Sequence, residues 1–149
     1  MKSLKFLITL LIITLTGNAI AQTEKEENNS GDFFLTVVGF ESDEGKAMIA
    51  LFNSEEAYSE NGEKFKYVTA DIKDSKAEWA IEDLPFGEYA IKLYHDENEN
   101  RKLDRNMLGI PSETFGFSNN ATGSFGPADY EDTKFIFNSS GQKHEINLN

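Results

Sequence analysis

The chain has 149 residues, no cysteine and a formal net charge of −12 at pH 7. This length suits one domain, and the lack of cysteine excludes disulfides, thiol catalysis, thiolate zinc sites and iron–sulfur clusters. An acidic protein is unsuited to nucleic acid or to an anionic membrane surface, because both attract basic side chains. The charge favours solubility and cation binding.

The first 21 residues have the pattern of a secretory signal peptide. Lys2 and Lys5 give a positive start, residues 6–15 form an apolar run, and Ala19-Ile20-Ala21 has the small residues that precede cleavage. The run is shorter than the roughly 20 apolar residues that span a bilayer, which argues against a membrane anchor. We expect export to the periplasm or the cell surface, with no membrane span after cleavage.

Short β-type segments follow a polar stretch. Residues 22–31 have no apolar periodicity, which predicts a flexible leader before a domain over residues 32–149. Period-two patterns and turn signals then predict about seven strands. They cover residues 33–40, 46–52, 67–72, 77–81, 88–94, 134–137 and 144–148. Because no parallel βαβ rhythm appears, the pattern indicates an all-β, antiparallel sandwich.

Local signals connect some of these strands. Strands 33–40 and 46–52 flank the turn Ser42-Asp-Glu-Gly45, which predicts a hairpin. Ser54-Glu-Glu is a helix-capping start and predicts a short helix within residues 54–64. Leu84-Pro-Phe-Gly-Glu-Tyr89 predicts a tight turn followed by an inward Tyr89. The last motif resembles a turn of transthyretin-like and carboxypeptidase-regulatory-like sandwiches.

A long segment without β or helical period separates Tyr94 from Lys134. Loops of this length are functional or disordered in most domains. Apolar residues argue against disorder and predict that the loop packs on the sandwich. They are Leu103, Met107, Leu108, Ile110, Phe115, Phe117, Phe125 and Tyr130.

The start of this loop has the spacing of a calcium site. Asp96, Asn98, Asn100 and Asp104 occupy positions one, three, five and nine of a turn, and all offer the oxygen ligands that Ca²⁺ prefers. The alternative is an Asn/Asp-rich turn whose side chains cap their own backbone. A bound ion would stiffen the loop, with an affinity of about 10⁻⁴ to 10⁻³ M.

Two residues depart from the pattern of an EF-hand loop. Arg101 stands in place of glycine, and Met107 stands in place of the bidentate glutamate. The ligand set must then be completed by the Lys102 carbonyl, by water or by a distant acid. Among Glu113, Asp129, Glu131 and Asp132, we favour Glu113 because Gly109 and Pro111 can turn the chain back.

The second half of the loop, residues 116–132, alternates glycine with phenylalanine and amides. Aromatic faces and amides suit a glycan, so one hypothesis is a glycan-binding surface. The alternative is that Phe115, Phe117 and Phe125 fix the loop to the core while the amides satisfy its backbone.

An ordered set of motifs across this block resembles a bacterial exported family, domain of unknown function 2141. The motifs are Tyr94-His-Asp-Glu-Asn98, Asn100, Lys102-Leu-Asp104, Gly109-Ile-Pro111, Glu113, Gly116-Phe-Ser-Asn-Asn120 and Phe125-Gly-Pro127. The resemblance covers residues 33–148. It implies an exported, immunoglobulin-like or prealbumin-like sandwich and no established activity. Together with the patterns above, we expect a seven-stranded sandwich with one long inserted loop and a short helix. Members commonly have glycine at the positions of Glu99 and Arg101, which implies a stiffer loop or weaker metal binding here.

Catalytic motifs are absent from the sequence. No Gly-x-Ser-x-Gly elbow, His-Glu-x-x-His motif or phosphate-binding glycine loop occurs. A hydrolase that uses His95 as base is a third hypothesis, but imidazole also orients loops through hydrogen bonds. We expect a non-enzymatic binding or structural domain, whose partner is a glycan or another envelope protein.

Overall fold

The computed structural model describes residues 29–59, 62–124 and 126–148. The predicted signal peptide and residues 22–28 of the predicted leader lie outside the described residues. The secondary-structure elements, in chain order, are β1 (Ser30–Val38), β2 (Lys46–Phe52), α1 (Glu55–Tyr58), β3 (Lys66–Ala70), β4 (Lys76–Pro85), β5 (Gly87–Asp96), β6 (Phe115–Phe117), a 3₁₀ turn (Ser118–Asn120), α2 (Tyr130–Thr133), β7 (Phe135–Phe137) and β8 (Gln142–Asn147). None of the described helices is long and apolar enough to span a bilayer.

The strands form two sheets packed as a sandwich, which confirms the predicted fold class. One sheet has the order β4-β1-β8, and the other has the order β3-β2-β5-β6 with β7 also paired to β5. Most neighbours are antiparallel, but β1 and β8 are parallel, with Phe33 opposite Gln142 and Val38 opposite Asn147. The wholly antiparallel prediction was therefore wrong for this pair.

The predicted hairpin between the first two strands was also wrong. β1 pairs with β4 and β8, whereas β2 pairs with β3 and β5. Residues 39–45 instead carry the chain from one sheet to the other, and Gly39 (φ +91°) and Gly45 (φ +73°) supply left-handed turns at each end. This connection is longer than the loops of common hairpins.

The core lies between the inner faces of the two sheets. Its largest fully buried apolar side chains come from six of the eight strands: they are Phe33, Leu35, Ile49, Leu51, Leu84, Ile91, Phe137 and Ile146. The predicted turn after β4 is confirmed, since Tyr89 is buried and its hydroxyl donates to the Pro85 carbonyl at 2.8 Å. This turn also changes sheets, because β4 and β5 belong to different ones.

The segment between residues 94 and 134 was predicted to have no regular secondary structure, and this was wrong. β6 pairs with β5, placing Phe115 opposite Tyr94 and Phe117 opposite Lys92. α2 and the 3₁₀ turn follow, and both are too short to show a period in the sequence. A second apolar cluster covers part of the outer face of the five-stranded sheet; it contains Ala50, Phe52, Tyr58, Ala90, Phe117, Ala128 and Tyr130.

The short helix is confirmed in a reduced form. α1 covers four residues of the predicted 54–64 segment, and the Ser54 hydroxyl accepts the backbone N–H of Ala57 at 3.1 Å. This is the capping contact that the Ser-Glu-Glu start predicted. α1 packs on the second cluster through Tyr58, whose hydroxyl donates to the Ala128 carbonyl.

Candidate functional site

The loop after β5 is organised by a buried carboxylate. Asp96, the last residue of β5, is 1% exposed. Its Oδ1 accepts the N–H of Asn100 at 3.0 Å, and its Oδ2 accepts the N–H of Arg101 at 2.8 Å. A buried carboxylate needs such partners, because an unpaired charge away from water is strongly unfavourable. These bonds wrap residues 97–101 around the end of the strand.

Glu113 closes the same loop from its other end. It is 7% exposed; its Oε1 accepts the N–H of Glu97 at 3.0 Å and its Oε2 accepts the N–H of Asp104 at 2.8 Å. The predicted chain reversal is present, with a hydrogen bond from Asn106 N–H to the Ile110 carbonyl and Gly109 at φ +77°. The other three candidate acids belong to a different region, in or beside α2.

The remaining candidate ligands lie together at the loop surface. Asn98 Nδ2 donates to Asp104 Oδ2 at 2.7 Å, and Asn100 Nδ2 is 3.1 Å from both Asp104 oxygens. The amide oxygens accept backbone N–H groups, Asn98 Oδ1 from Asn100 and Asn100 Oδ1 from Lys102. The side chains that the sequence grouped are thus grouped in space, through contacts of the self-capping kind.

The donor set bears on how a cation could bind there. The described residues hold no group of three or more His, Asp or Glu suited to a metal ion. Both oxygens of Asp96 and both of Glu113 already accept an N–H, although each carboxylate oxygen has a second lone pair. A cation at this loop would therefore depend on Asp104, on rotation of the two asparagine amides and on backbone oxygens.

Two loop residues have left-handed backbone conformations. Glu99 has φ +58° and Arg101 has φ +64°. Such a conformation costs a residue other than glycine about 1 kcal/mol, and the bonds from Asp96 to the amides of residues 100 and 101 offset that cost. The loop therefore carries the side chain of Arg101 at a position where a glycine would have no side chain.

The apolar residues of the loop differ in burial. Leu103 is half-buried, but Met107, Leu108 and Ile110 are 103%, 83% and 56% exposed. The prediction that the apolar residues of the loop pack on the sandwich was wrong for these three. The reason is the tight turn at Asn106–Ile110, which projects its side chains away from both sheets.

The two histidines serve the fold in this structure. His95 is fully buried; its Nε2 donates to the Glu44 carbonyl at 2.7 Å, and its backbone N–H donates to the Thr114 carbonyl. Its Nδ1 is buried without a hydrogen-bond partner among the described residues. His144 stacks on Phe135 at 4.5 Å, and burial lowers its pKa. The His95 ring has no exposed surface, whereas His144 is half-buried.

The amides and aromatic rings of residues 116–132 mostly satisfy the loop itself. Asn119 Nδ2 donates to the carbonyls of Asp132 and Lys134, and Asn120 Oδ1 accepts the N–H of Asn147. Phe117 is buried in the second cluster. Ser118, fully buried, accepts the N–H of Ile91 and donates to the Thr133 carbonyl. Phe125 lies outside the described residues.

A groove that the sequence did not reveal runs over the outer face of the five-stranded sheet. It has a volume of about 460 Å³. Side chains from β2, β3, β5 and β6 line it, together with side chains from the loop; they include Met48, Ala50, Tyr67, Lys92, Tyr94, Arg101, Leu103, Arg105 and Phe115. One feature of the sequence could have indicated this groove. The alternation of β2 and β5 puts Met48 and Tyr94 on the face opposite the core.

Several groove side chains are exposed or already oriented. Tyr67 is 72% exposed and Phe115 is 40% exposed. Lys92 donates to the Tyr58 carbonyl and lies 3.7 Å from the centroid of that ring, a cation–π contact. Arg105 Nη1 donates to the Gly109 carbonyl at 2.9 Å. The two arginines reach the groove from the loop that Asp96 and Glu113 hold in shape.

The fold and site define a β-sandwich protein with a strand-exit loop that borders an outer-face groove. A family model described as an uncharacterized protein conserved in bacteria, DUF2141, matches residues 35–146, and the chain belongs to this family. The resemblance inferred from the loop motifs is thereby confirmed. Comparisons with curated proteins and with solved structures give no match.

Proposed function

We propose that this chain is an exported, non-enzymatic binding domain whose ligand lies in the outer-face groove. The observation that carries the proposal is the groove itself, in which exposed aromatic rings and cationic side chains converge from four strands and one loop. Concave sites with a mainly apolar lining and a few polar groups are the usual places for small ligands. The signal-peptide pattern of residues 1–21 supports export.

Two methionines make this proposal testable by methyl NMR. Met48 lies in the groove, whereas Met107 is fully exposed at the loop tip. A fragment mixture of small apolar and charged compounds should shift the Met48 methyl resonance and leave Met107 in place. If no fragment moves Met48, or if both methyls move alike, the groove is not the binding site.

A second candidate function is weak Ca²⁺ binding by the loop. The observation that favours it is the grouping of Asn98, Asn100 and Asp104 above the carboxylates of Asp96 and Glu113. The ion would replace the amide contacts on Asp104 and stiffen the loop that carries the arginines. The Lys102 carbonyl is a further candidate ligand by its place in the sequence.

Calorimetric titration and thermal melting test the calcium proposal. The expected affinity is about 10⁻⁴ to 10⁻³ M, so Ca²⁺ at about 10 mM should raise the melting temperature. Asp104→Asn should abolish the increase, whereas Asp83→Asn, an exposed acid on β4, should preserve it. Absence of both heat and a melting shift at that concentration would contradict calcium binding.

A further inference from the structure

The lining of the groove is positively charged, although the chain as a whole is acidic. The chain carries 26 acidic and 14 basic residues, yet the described residues that line the groove include Lys64, Lys92, Arg101 and Arg105 and no Asp or Glu. Cations gathered in an acidic protein raise the local concentration of anions and disfavour cationic ligands. The ligand that complements this lining is therefore negatively charged.

The arginines also indicate the shape of the charged group. A guanidinium presents a planar set of donors that pairs with a carboxylate through two parallel hydrogen bonds. Arg105 is oriented by its bond to the Gly109 carbonyl, which leaves its other donors available. The Arg101 side chain makes no hydrogen bond or ion pair with the described residues, and its backbone N–H donates to Asp96. Both guanidinium groups therefore have donors available for a compact anionic head.

The rest of the lining suits an apolar body rather than a sugar. Met48, Tyr67, Leu103 and Phe115 offer apolar or aromatic surface, and the described lining contains no Asn or Gln. Sugar hydroxyls need many hydrogen-bond partners, since a polar group buried without them loses free energy. Apart from the cations, the groove offers little more than Ser59 and two tyrosine hydroxyls.

We propose that the groove binds a small amphipathic carboxylate, with an alkyl body on the sheet face and its head at Arg101 and Arg105. This inference rests on the proposed function and names its ligand class. The volume of about 460 Å³ lies in the range of small-molecule sites.

Three probes of matched chain length test this selectivity: octanoate, 1-octanol and octylammonium. Titration monitored at the Met48 methyl should show octanoate binding about 10-fold more tightly than octanol, the scale of one charge-assisted pair. Octylammonium should not bind. Equal affinities for octanoate and octanol would overturn the carboxylate assignment while leaving the groove as a binding site. If no probe shifts the Met48 methyl resonance, the proposed function is overturned as well.

Variants separate the arginine contacts from overall charge. Arg101→Gln combined with Arg105→Gln should reduce octanoate affinity to that of octanol and leave octanol binding unchanged. Lys102→Gln removes one positive charge from the same loop, as Arg101→Gln alone does, but Lys102 does not line the groove, so octanoate affinity should be retained. An equal loss in Lys102→Gln would overturn the proposal. Arg101→Gln alone, with an unchanged melting temperature, serves if the double variant unfolds.

Other occupants give distinct results in the same experiments. Displacement of octanoate by an acidic oligosaccharide at lower concentration would assign the groove to glycans and overturn the proposal. A Met48 shift that grows with protein concentration, together with dimers in analytical ultracentrifugation, would assign it to a second copy of the chain. A shift at Met107 in place of Met48 would assign the ligand to the exposed loop tip.

Discussion

The two outer faces of the sandwich differ far more than the two inner ones. On the three-stranded sheet, the outer face carries Phe34, Thr36, Glu78 and Glu145, a mixed surface of exposed and half-buried side chains. On the five-stranded sheet, α1 and α2 cover one part of the outer face, and the cationic groove occupies another part. Because both inner faces are needed for the core, specific binding can develop on an outer face without loss of stability.

The largest expected effect is the loss of stability when a core side chain is truncated, in contrast to an exposed one. Phe137 is fully buried and its ring contacts Phe33 and Phe86. Phe137→Ala should lower the free energy of unfolding by about 3 to 5 kcal/mol, since it removes apolar contacts and leaves a cavity. Ile136→Ala, at the neighbouring position and 55% exposed, should change it by no more than about 0.5 kcal/mol. Urea unfolding measures both, and similar losses would contradict the packing described.

The loop beside the groove should depend on one buried acid. Asp96→Ala leaves two backbone N–H groups without their acceptor and should cost about 2 to 4 kcal/mol in unfolding free energy. Asp104→Ala removes contacts from two side-chain amides at the surface and should cost about 1 kcal/mol or less. Chemical denaturation of the two variants compares them. If Asp104→Ala is the more destabilising, the loop is held by its surface cluster instead.

Substitution of one exposed aromatic residue on each outer face allows a direct comparison of the two faces. Tyr67 lies in the groove and Phe34 lies on the opposite outer face, at 72% and 40% exposure. Replacement of either by alanine should alter the unfolding free energy by about 1 kcal/mol or less, because neither belongs to the core. Only Tyr67→Ala should weaken octanoate binding, by several-fold. Equal weakening by Phe34→Ala would show that binding does not distinguish the two faces.

The smallest effect concerns pH and comes from His144, a half-buried residue of β8. Burial lowers the pKa of His144 below its usual 6.5, so the folded state disfavours the protonated ring. Between pH 6.5 and the lower folded pKa, the unfolded chain binds the additional proton, and stability falls as pH falls. His144→Gln should lack this part of the decline, while the carboxylates titrate in both proteins. Thermal melting from pH 7.5 to pH 5 measures the difference, and parallel curves would exclude it.

The loop illustrates what could be predicted from sequence. The spacing of Asp96, Asn98, Asn100 and Asp104 was sufficient to group these residues, because a tight turn brings alternate side chains together locally. Glu113 was predicted to return because Gly109 and Pro111 permit a reversal. The spacing could not show that backbone N–H groups would occupy the oxygens of Asp96 and Glu113, since that depends on the depth of the strand end within the fold.

The failed predictions concern pairing between distant segments. Ser42–Gly45 has turn residues and predicts a hairpin, but β2 pairs with β5 and β1 pairs with β4 and β8. β6 is only three residues long, so its period cannot be recognised in the chain. Strand partners are chosen by burial of whole faces, and local turn chemistry does not determine which face finds which partner.

The sequence by itself determined the β class, the family, the inward Tyr89 and the local composition of the loop. These properties follow from period-two alternation and from contacts within a few residues. Tertiary structure decided the crossing between sheets, the parallel β1–β8 pair and the groove. The groove in particular joins Met48, Tyr67, Arg101 and Phe115, which are far apart in the chain and meet because the sheet order places their strands and loop on one face.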